Sequence, residues 1–139
     1  MKKQILILIS ALVLCLCLAA CSGDTETKSV WTGASYTEDT TIGDGSKSFE
    51  FDVTAEDKTV SFVINTDKKT VGEALEECGI IEGEEGPYGL YVKVVNGIEA
   101  DYDKTKAYWS FTKDSAPMQT GVDGEEIQDG TRYGAVYTK

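Results

Sequence analysis

The segment 86–111 concentrates side chains that could bind a flat ligand. It holds six of the thirteen aromatic residues of the chain. Aromatic rings bury large flat areas, and the tyrosine hydroxyl can also form a hydrogen bond. Neighbouring strand residues point to opposite faces, so Tyr108 and Trp109 cannot both face a ligand unless the strand bulges. We expect Trp109 in the core and Tyr91 and Tyr108 on an outer surface.

Acidic segments supply a second kind of chemistry, because carboxylate oxygens are the ligands that Ca²⁺ prefers. Neither the "DYD" nor the "DGEE" segment completes a twelve-residue EF-hand loop. Solvated acidic loops are therefore the alternative, and no definite metal site is predicted. The weak metal candidates are Glu84, Glu85, Asp101 and Asp103.

The sequence contains no histidine. This excludes Ser-His and Cys-His nucleophile pairs, imidazole bases and histidine zinc sites. A pair of carboxylates could still hydrolyse a glycosidic bond, but that reaction needs a cleft, which a domain this small rarely encloses. Cys78 is expected to be a small packing residue. We therefore expect no enzymatic activity.

Residues 1–20 have the pattern of an export signal. Lys2 and Lys3 precede an apolar run too short for a stable membrane span, and Leu18-Ala19-Ala20-Cys21 resembles a bacterial lipobox. The resemblance implies cleavage before Cys21, lipid on its thiol and attachment to the extracytoplasmic side of a membrane. Each acyl methylene buried in the bilayer contributes about 0.8 kcal/mol. An ordinary secretory signal is the alternative.

The charge of the chain argues against nucleic-acid binding. Loss of Lys2 and Lys3 with the signal changes the formal net charge from −11 to −13. No basic patch is available for a phosphate backbone. An acidic surface favours solubility beside a membrane or attraction of cations.

Composition divides the mature chain into two parts. Residues 21–47 are rich in Ser, Thr, Gly and Asp and are predicted to be a flexible tether, although Trp31 could equally pack back onto the domain. Residues 48–139 are predicted to form one domain. Alternating apolar residues predict its strands; they lie at 48–53, 59–65, 88–95, 107–111 and 132–138.

A helix is predicted between the second and third of these strands. Thr70 and Glu73 have the spacing of a capping box, and Gly79 is suited to end the helix. One face carries apolar residues at helical spacing; they are Val71, Ala74, Leu75 and Cys78. The order of elements predicts an α+β domain.

Several segments resemble the transcobalamin-like C-terminal domain, which many bacterial lipoproteins carry. They are "TVGEALEE", "GPYGLYVKVVNGIEA", "AYWSF", "TGVDGEEIQDGTRY" and "VYT". The resemblance implies a β-grasp-like mixed sheet of about five strands packed on one short helix. In animal cobalamin carriers a similar domain closes over cobalamin bound to a helical barrel, and that barrel is absent here. The resemblance implies that the matching positions lie near the equivalent ligand face, and these are the candidate ligand-binding residues: Tyr88, Tyr91, Tyr108 and Trp109.

Three functions remain open from the sequence. The first is a lipid-anchored module that binds a planar ligand such as cobalamin or a related corrinoid, alone or with a partner surface protein or transporter. The second is a domain that binds calcium or another hard cation. The third is a structural module that joins another cell-surface protein.

Overall fold

The structure, a computed structural model, describes residues 27–139. The predicted signal peptide and Cys21 lie outside the described residues. In chain order this part contains a 3-10 helix (Val30–Gly33), β1 (Thr40–Ile42), β2 (Lys47–Ala55), β3 (Lys58–Thr66), α1 (Val71–Glu77), β4 (Ile81–Gly86), β5 (Gly89–Val95), β6 (Ile98–Glu99), α2 (Tyr102–Thr105), β7 (Tyr108–Lys113), β8 (Ala116–Pro117) and β9 (Arg132–Thr138).

The larger sheet has six strands in the order β1-β3-β2-β9-β7-β8. The pairs β1–β3 and β2–β9 are parallel, and the other pairs are antiparallel. On β2 the inward residues Phe49, Phe51 and Val53 are buried, whereas Glu50 and Asp52 point to the opposite face. The alternation predicted from the sequence is confirmed, and one face of this sheet is left toward solvent, as is common in antiparallel sheets.

A second sheet of three strands, in the order β4-β5-β6, covers part of the inner face together with α1. Helix α1 contacts β3 and β4, while β5 contacts β7 and β6 contacts the 3-10 helix. The core lies between these layers. Its largest fully buried side chains include Phe49, Phe51, Phe62, Tyr133, Ile64 and Leu75.

The fold is mixed α/β and is formed mostly by strands, but the predicted sheet is wrong in size and arrangement. Two sheets of six and three strands replace the single β-grasp-like sheet of about five. The segment "EGEEG", predicted as an acidic loop, forms most of β4. Gly and Glu have low strand propensity, so local sequence gives no strand signal there. The strand forms because β5 supplies its hydrogen-bond partners, and its charges protect an exposed sheet edge.

The predicted helix is confirmed as α1, with Thr70 at its N-cap. The Thr70 hydroxyl accepts from the Glu73 N–H at 3.2 Å, and the Glu73 carboxylate accepts from the Thr70 N–H at 3.1 Å. The donated N–H groups of Thr70 and Lys69 lower the pKa of Glu73. A lowered carboxyl pKa means that this contact stabilises the fold at neutral pH and weakens as acid protonates the side chain.

We expect Thr70→Ala to lower the free energy of unfolding by about 1 kcal/mol, because the helix loses its N-cap acceptor. Thr70→Ser keeps the hydroxyl and is the matched control, which should retain most of the stability. Urea denaturation followed by circular dichroism measures both. An unmoved midpoint for Thr70→Ala contradicts the capping role.

The segment predicted as a tether is packed against the domain from Ser29 onward. Trp31 is buried, and its indole N–H donates to the Ala55 carbonyl at 2.9 Å. Further along, Asn96 holds the backbone of Tyr36 by accepting from its N–H and donating to its carbonyl, at 2.9 and 2.8 Å. Strand β1 then pairs with β3. The folded part therefore begins well before residue 48, and Trp31 does pack back onto it.

Candidate functional site

Tyr88 and Tyr91 lie on one hairpin, formed by β4 and β5. Gly86 pairs with Gly89, so Pro87 and Tyr88 form the turn. The Tyr88 side chain is 100% exposed and that of Tyr91 is 45% exposed. We call this hairpin end, with Tyr88, Leu90 and Tyr91, the tyrosine tip.

The backbone of the tyrosine tip is fixed by the loop before β9. The Asp123 carboxylate accepts from the Leu90 N–H at 3.1 Å. In the same loop the Val122 carbonyl accepts from Gly72 at 2.8 Å, which ties it to α1. Asp123 belongs to the acidic "DGEE" segment, but nothing in the local pattern indicates its contact with Leu90 across 33 residues. The tip is thus held by tertiary contacts.

The β4–β5 pairing has a β-bulge at the base of the tip: Glu82 pairs with Val94 and Gly83 with Val92, so Lys93 of β5 is the extra residue. A Cβ atom at Gly83 would collide with the Tyr91 carbonyl. Only glycine allows this close approach of the two strands. The bulge shifts the register by one residue and so helps to set the face on which Tyr91 emerges.

Tyr108 and Trp109 lie in the other sheet, on β7. Tyr108 is half-exposed and pairs in register with Thr138, whereas Trp109 is buried, as alternation predicts. The Trp109 ring packs edge to face on Tyr137 with centroids 5.4 Å apart. Within residues 27–139 its indole N–H has no hydrogen-bond partner. The structure therefore brings Tyr88 and Tyr91 together on one hairpin but places Tyr108 and Trp109 in a different sheet.

Two of the weak metal candidates, Glu84 and Asp101, are joined by a lysine. The Lys93 ammonium lies 3.1 Å from the Glu84 carboxylate and 3.4 Å from that of Asp101. Burial acts to raise the pKa of Asp101, but the Asp103 N–H and the Lys93 charge together lower it. The pKa of Lys93 is raised, first by its hydrogen bond to Glu84. The ammonium group of Lys93 thus already occupies the position that a metal cation would take between these two carboxylates.

The other two metal candidates stand apart from this pair. Glu85 is exposed on β4, and Asp103 is exposed in the first turn of α2. Over the described range no group of three or more Cys, Asp or Glu side chains is placed to hold a metal ion. A depression of about 220 Å³ beside Lys93 and Lys104 is lined mainly by charged residues. Its size is below the roughly 300–1,000 Å³ typical of ligand pockets.

No helix in residues 27–139 combines the length and the hydrophobicity needed to cross a membrane.

The family model for a "Domain of unknown function (DUF4430)" matches residues 68–132, from the residues before α1 to the start of β9. No curated protein matches this sequence.

Two solved structures are similar to most of this chain. One is a protein from Ruminococcus gnavus, described as a "putative metal binding protein", with 29% identity and a TM-score of 0.63; the match covers 68% of this chain and 98% of that one. The other is haptocorrin in complex with Cbi, with 17% identity and a TM-score of 0.57. That match covers 70% of this chain but only 26% of haptocorrin. At such identity the likeness to haptocorrin concerns the fold alone, and it supports the fold part of the resemblance to transcobalamin-like domains.

Proposed function

We propose that this chain is a lipid-anchored, extracytoplasmic module that binds cobalamin or a related corrinoid. The observation that carries the proposal is the tyrosine tip. A wholly exposed Tyr88 and a half-exposed Tyr91 lie on one hairpin, whose backbone is held by Asp123. Single exposed aromatics are common on protein surfaces. Two on a hairpin fixed by tertiary contacts form a preorganised surface, which lowers the entropic cost of binding.

The chemistry of the tip fits a flat, amphipathic ligand. Tyrosine rings stack on planar apolar surfaces and their hydroxyls hydrogen-bond to polar groups at the edge. A corrinoid offers a flat macrocycle with amide groups around it. The Lys93 ammonium lies 5.8 Å from the centroid of the Tyr91 ring. This contact favours one orientation of the ring. The likeness to haptocorrin, whose structure contains Cbi, supports this class of ligand.

An open hairpin surface covers one side of such a ligand. The chain spans about a quarter of haptocorrin, so a corrinoid held here needs a second surface on its other side. We propose that a partner surface protein or a transporter provides it. Tyr108 lies on β7 of the six-stranded sheet, where it pairs with Thr138, and is not part of the tip. We propose it as a separate contact surface for a structural partner at that end of the domain.

Binding of a hard cation is the second candidate, supported by the description of the Ruminococcus gnavus protein. Glu84 and Asp101 are the candidate carboxylates that lie near each other, but Lys93 forms an ion pair with both. A structural role in joining another surface protein is the third candidate. In all three cases we propose that the domain has no enzymatic activity of its own.

Calorimetric titration of the full-length lipoprotein in detergent, with cobinamide, cobalamin and CaCl₂, tests the proposal. We expect binding of at least one corrinoid. A stacking contact contributes about 0.5–1.5 kcal/mol, so Tyr91→Ala should weaken the corrinoid Kd by roughly 2- to 12-fold. Tyr88→Ala should have a similar effect. Tyr102→Ala removes an exposed tyrosine from α2 and is the matched control, which should leave Kd unchanged.

The other outcomes contradict the proposal in different ways. If neither corrinoid binds at millimolar concentration, the corrinoid assignment fails. If Tyr102→Ala weakens binding as much as Tyr91→Ala, the tyrosine tip is not the site. If CaCl₂ alone gives a saturable signal that Glu84→Gln abolishes, the cation candidate replaces the corrinoid one.

A further inference from the structure

We propose that the end of the domain carrying the β2–β3 turn faces the lipid bilayer and that the tyrosine tip faces away from it. The inference rests on the lipid anchor of the proposed function but does not depend on the identity of the ligand. It follows from where the chain leaves the folded part and from how few residues then remain before Cys21.

The chain leaves the folded part at the β2–β3 turn. The Ser29 hydroxyl donates to the Glu56 carboxylate at 2.6 Å, and Trp31 donates to the Ala55 carbonyl at the end of β2. Within the described residues, the contact nearest to the N-terminus therefore involves Ser29, beside residues 55 and 56. The C-terminal Lys139 lies at the same end, next to Glu56 and Tyr137.

Few residues separate this point from the anchor. Residues 22–28 lie between Cys21 and Ser29, and a fully extended chain over these eight steps spans at most roughly 26–29 Å. A tether that reached residue 47, as the composition suggested, could span roughly 90 Å by the same measure. Packing of residues 29–47 onto the domain thus reduces the maximum span between Cys21 and the first packed residue about threefold.

The shortened link is no longer than the domain itself. A compact body the size of residues 27–139 has a radius of gyration of about 13 Å, which corresponds to a diameter of roughly 34 Å. Strand β2 runs nine residues from Lys47 to Ala55, or about 26 Å, along this body. The anchored end is therefore confined near the bilayer, and on average the other end points away from it.

The tyrosine tip lies at that other end. A chain of contacts connects it to the start of β2: Asp123 holds Leu90, and later in the same loop Gly130 donates to the Ser48 carbonyl at 2.8 Å. Residue 48 is close to the N-terminal end of β2, whereas Ser29 lies at its C-terminal end. A ligand or partner that binds the tip consequently approaches from outside the cell surface.

The charge at the anchored end is compatible with this orientation. The chain has a net negative charge, but three lysines lie at this end: Lys28, Lys58 and Lys139. Their positive charges offset the negative charges of Glu56 and Asp57. The domain therefore does not present its strongest negative charge to an anionic lipid surface.

Energy transfer from the protein to the membrane surface tests the orientation. The full-length lipoprotein is purified with Cys78→Ser, labelled with a donor dye at Asp57→Cys or at Asp44→Cys, and reconstituted in vesicles that contain a headgroup-labelled acceptor lipid. Both positions are exposed aspartates, so the two substitutions change charge equally. Asp57 lies in the β2–β3 turn, and Asp44 precedes β2 at the other end.

We expect clearly higher transfer from position 57 than from position 44. A second pair of proteins carries a Gly/Ser insertion of about 20 residues between Lys28 and Ser29, which should lower transfer from position 57 and remove most of the difference. Equal transfer from the two positions at the native link length, with lipid on Cys21 confirmed by mass spectrometry, overturns the orientation alone. Unmodified Cys21 overturns the anchor and the orientation together, while corrinoid titration is unaffected by either result.

Discussion

Replacement of Trp109 by alanine should lower the free energy of unfolding by about 3–5 kcal/mol. The side chain is only 6% exposed and packs on Tyr137. Truncation of a buried aromatic removes its transfer free energy and leaves a cavity. Urea denaturation followed by far-ultraviolet circular dichroism measures the change.

The Trp109→Phe variant distinguishes the stability contributed by a buried ring from that contributed by the indole N–H group. Within the described part of the chain the indole N–H has no hydrogen-bond partner, so its removal should cost nothing. We therefore expect Trp109→Phe to lose less than half of what Trp109→Ala loses. Tyr91→Ala and Tyr108→Ala should cost much less stability, because both side chains are about half exposed. If all three alanine variants are equally unstable, the tyrosines are ordinary core residues and the binding surface loses its support.

Trp31→Ala should have a comparable effect, about 3–5 kcal/mol, although this residue lies in a segment whose composition predicts a tether. Its ring is 9% exposed, and its N–H donates to the Ala55 carbonyl. The variant loses both the buried area and the hydrogen bond, and the Ala55 carbonyl must find another donor. Denaturation of the full-length protein in detergent measures the loss.

Two comparisons make the Trp31 result decisive. Trp31→Phe retains a buried ring but not the donor, and we expect it to cost about 1 kcal/mol plus a small packing loss. Thr32→Ala changes an exposed neighbour in the same 3-10 helix and should cost far less. A midpoint for Trp31→Ala that equals wild type shows that the segment is a free tether, and it also removes the basis for the short link to the membrane.

The local signals in the sequence are strong where one element is stabilised by its own residues. The capping box of α1 needs only Thr70 and Glu73, which are close in sequence. The turn at Asn96-Gly97 needs only two residues that accept positive φ, and both adopt it. Alternation along β7 reports burial of one sheet face, so the sequence alone is enough to predict Trp109 inside and Tyr108 outside.

The candidate site is only partly accessible to the same reasoning. Exposure of Tyr91 can be predicted from alternation with Leu90 and Val92. The contact between Asp123 and the tip cannot be predicted in this way, and neither can the ion pairs of Lys93 with Glu84 and Asp101. Both depend on how separate segments meet in the fold. In the sequence Glu84 and Asp101 look like cation ligands, because their ion pairs with Lys93 are seen only in three dimensions.

The short-range features follow from the sequence alone: the amphipathic strands, the capped helix, the tight turn and the absence of histidine chemistry. Contacts between distant parts of the fold set the number of strands, the burial of Trp31 and the placement of Tyr108 in a different sheet from Tyr88 and Tyr91. The physical reason is the range of the interactions. Alternation and capping are satisfied within one element, whereas β4 and the N-terminal segment have little conformational preference of their own. They are ordered by other segments: β4 by pairing with β5, and Tyr36 by Asn96, 60 residues away.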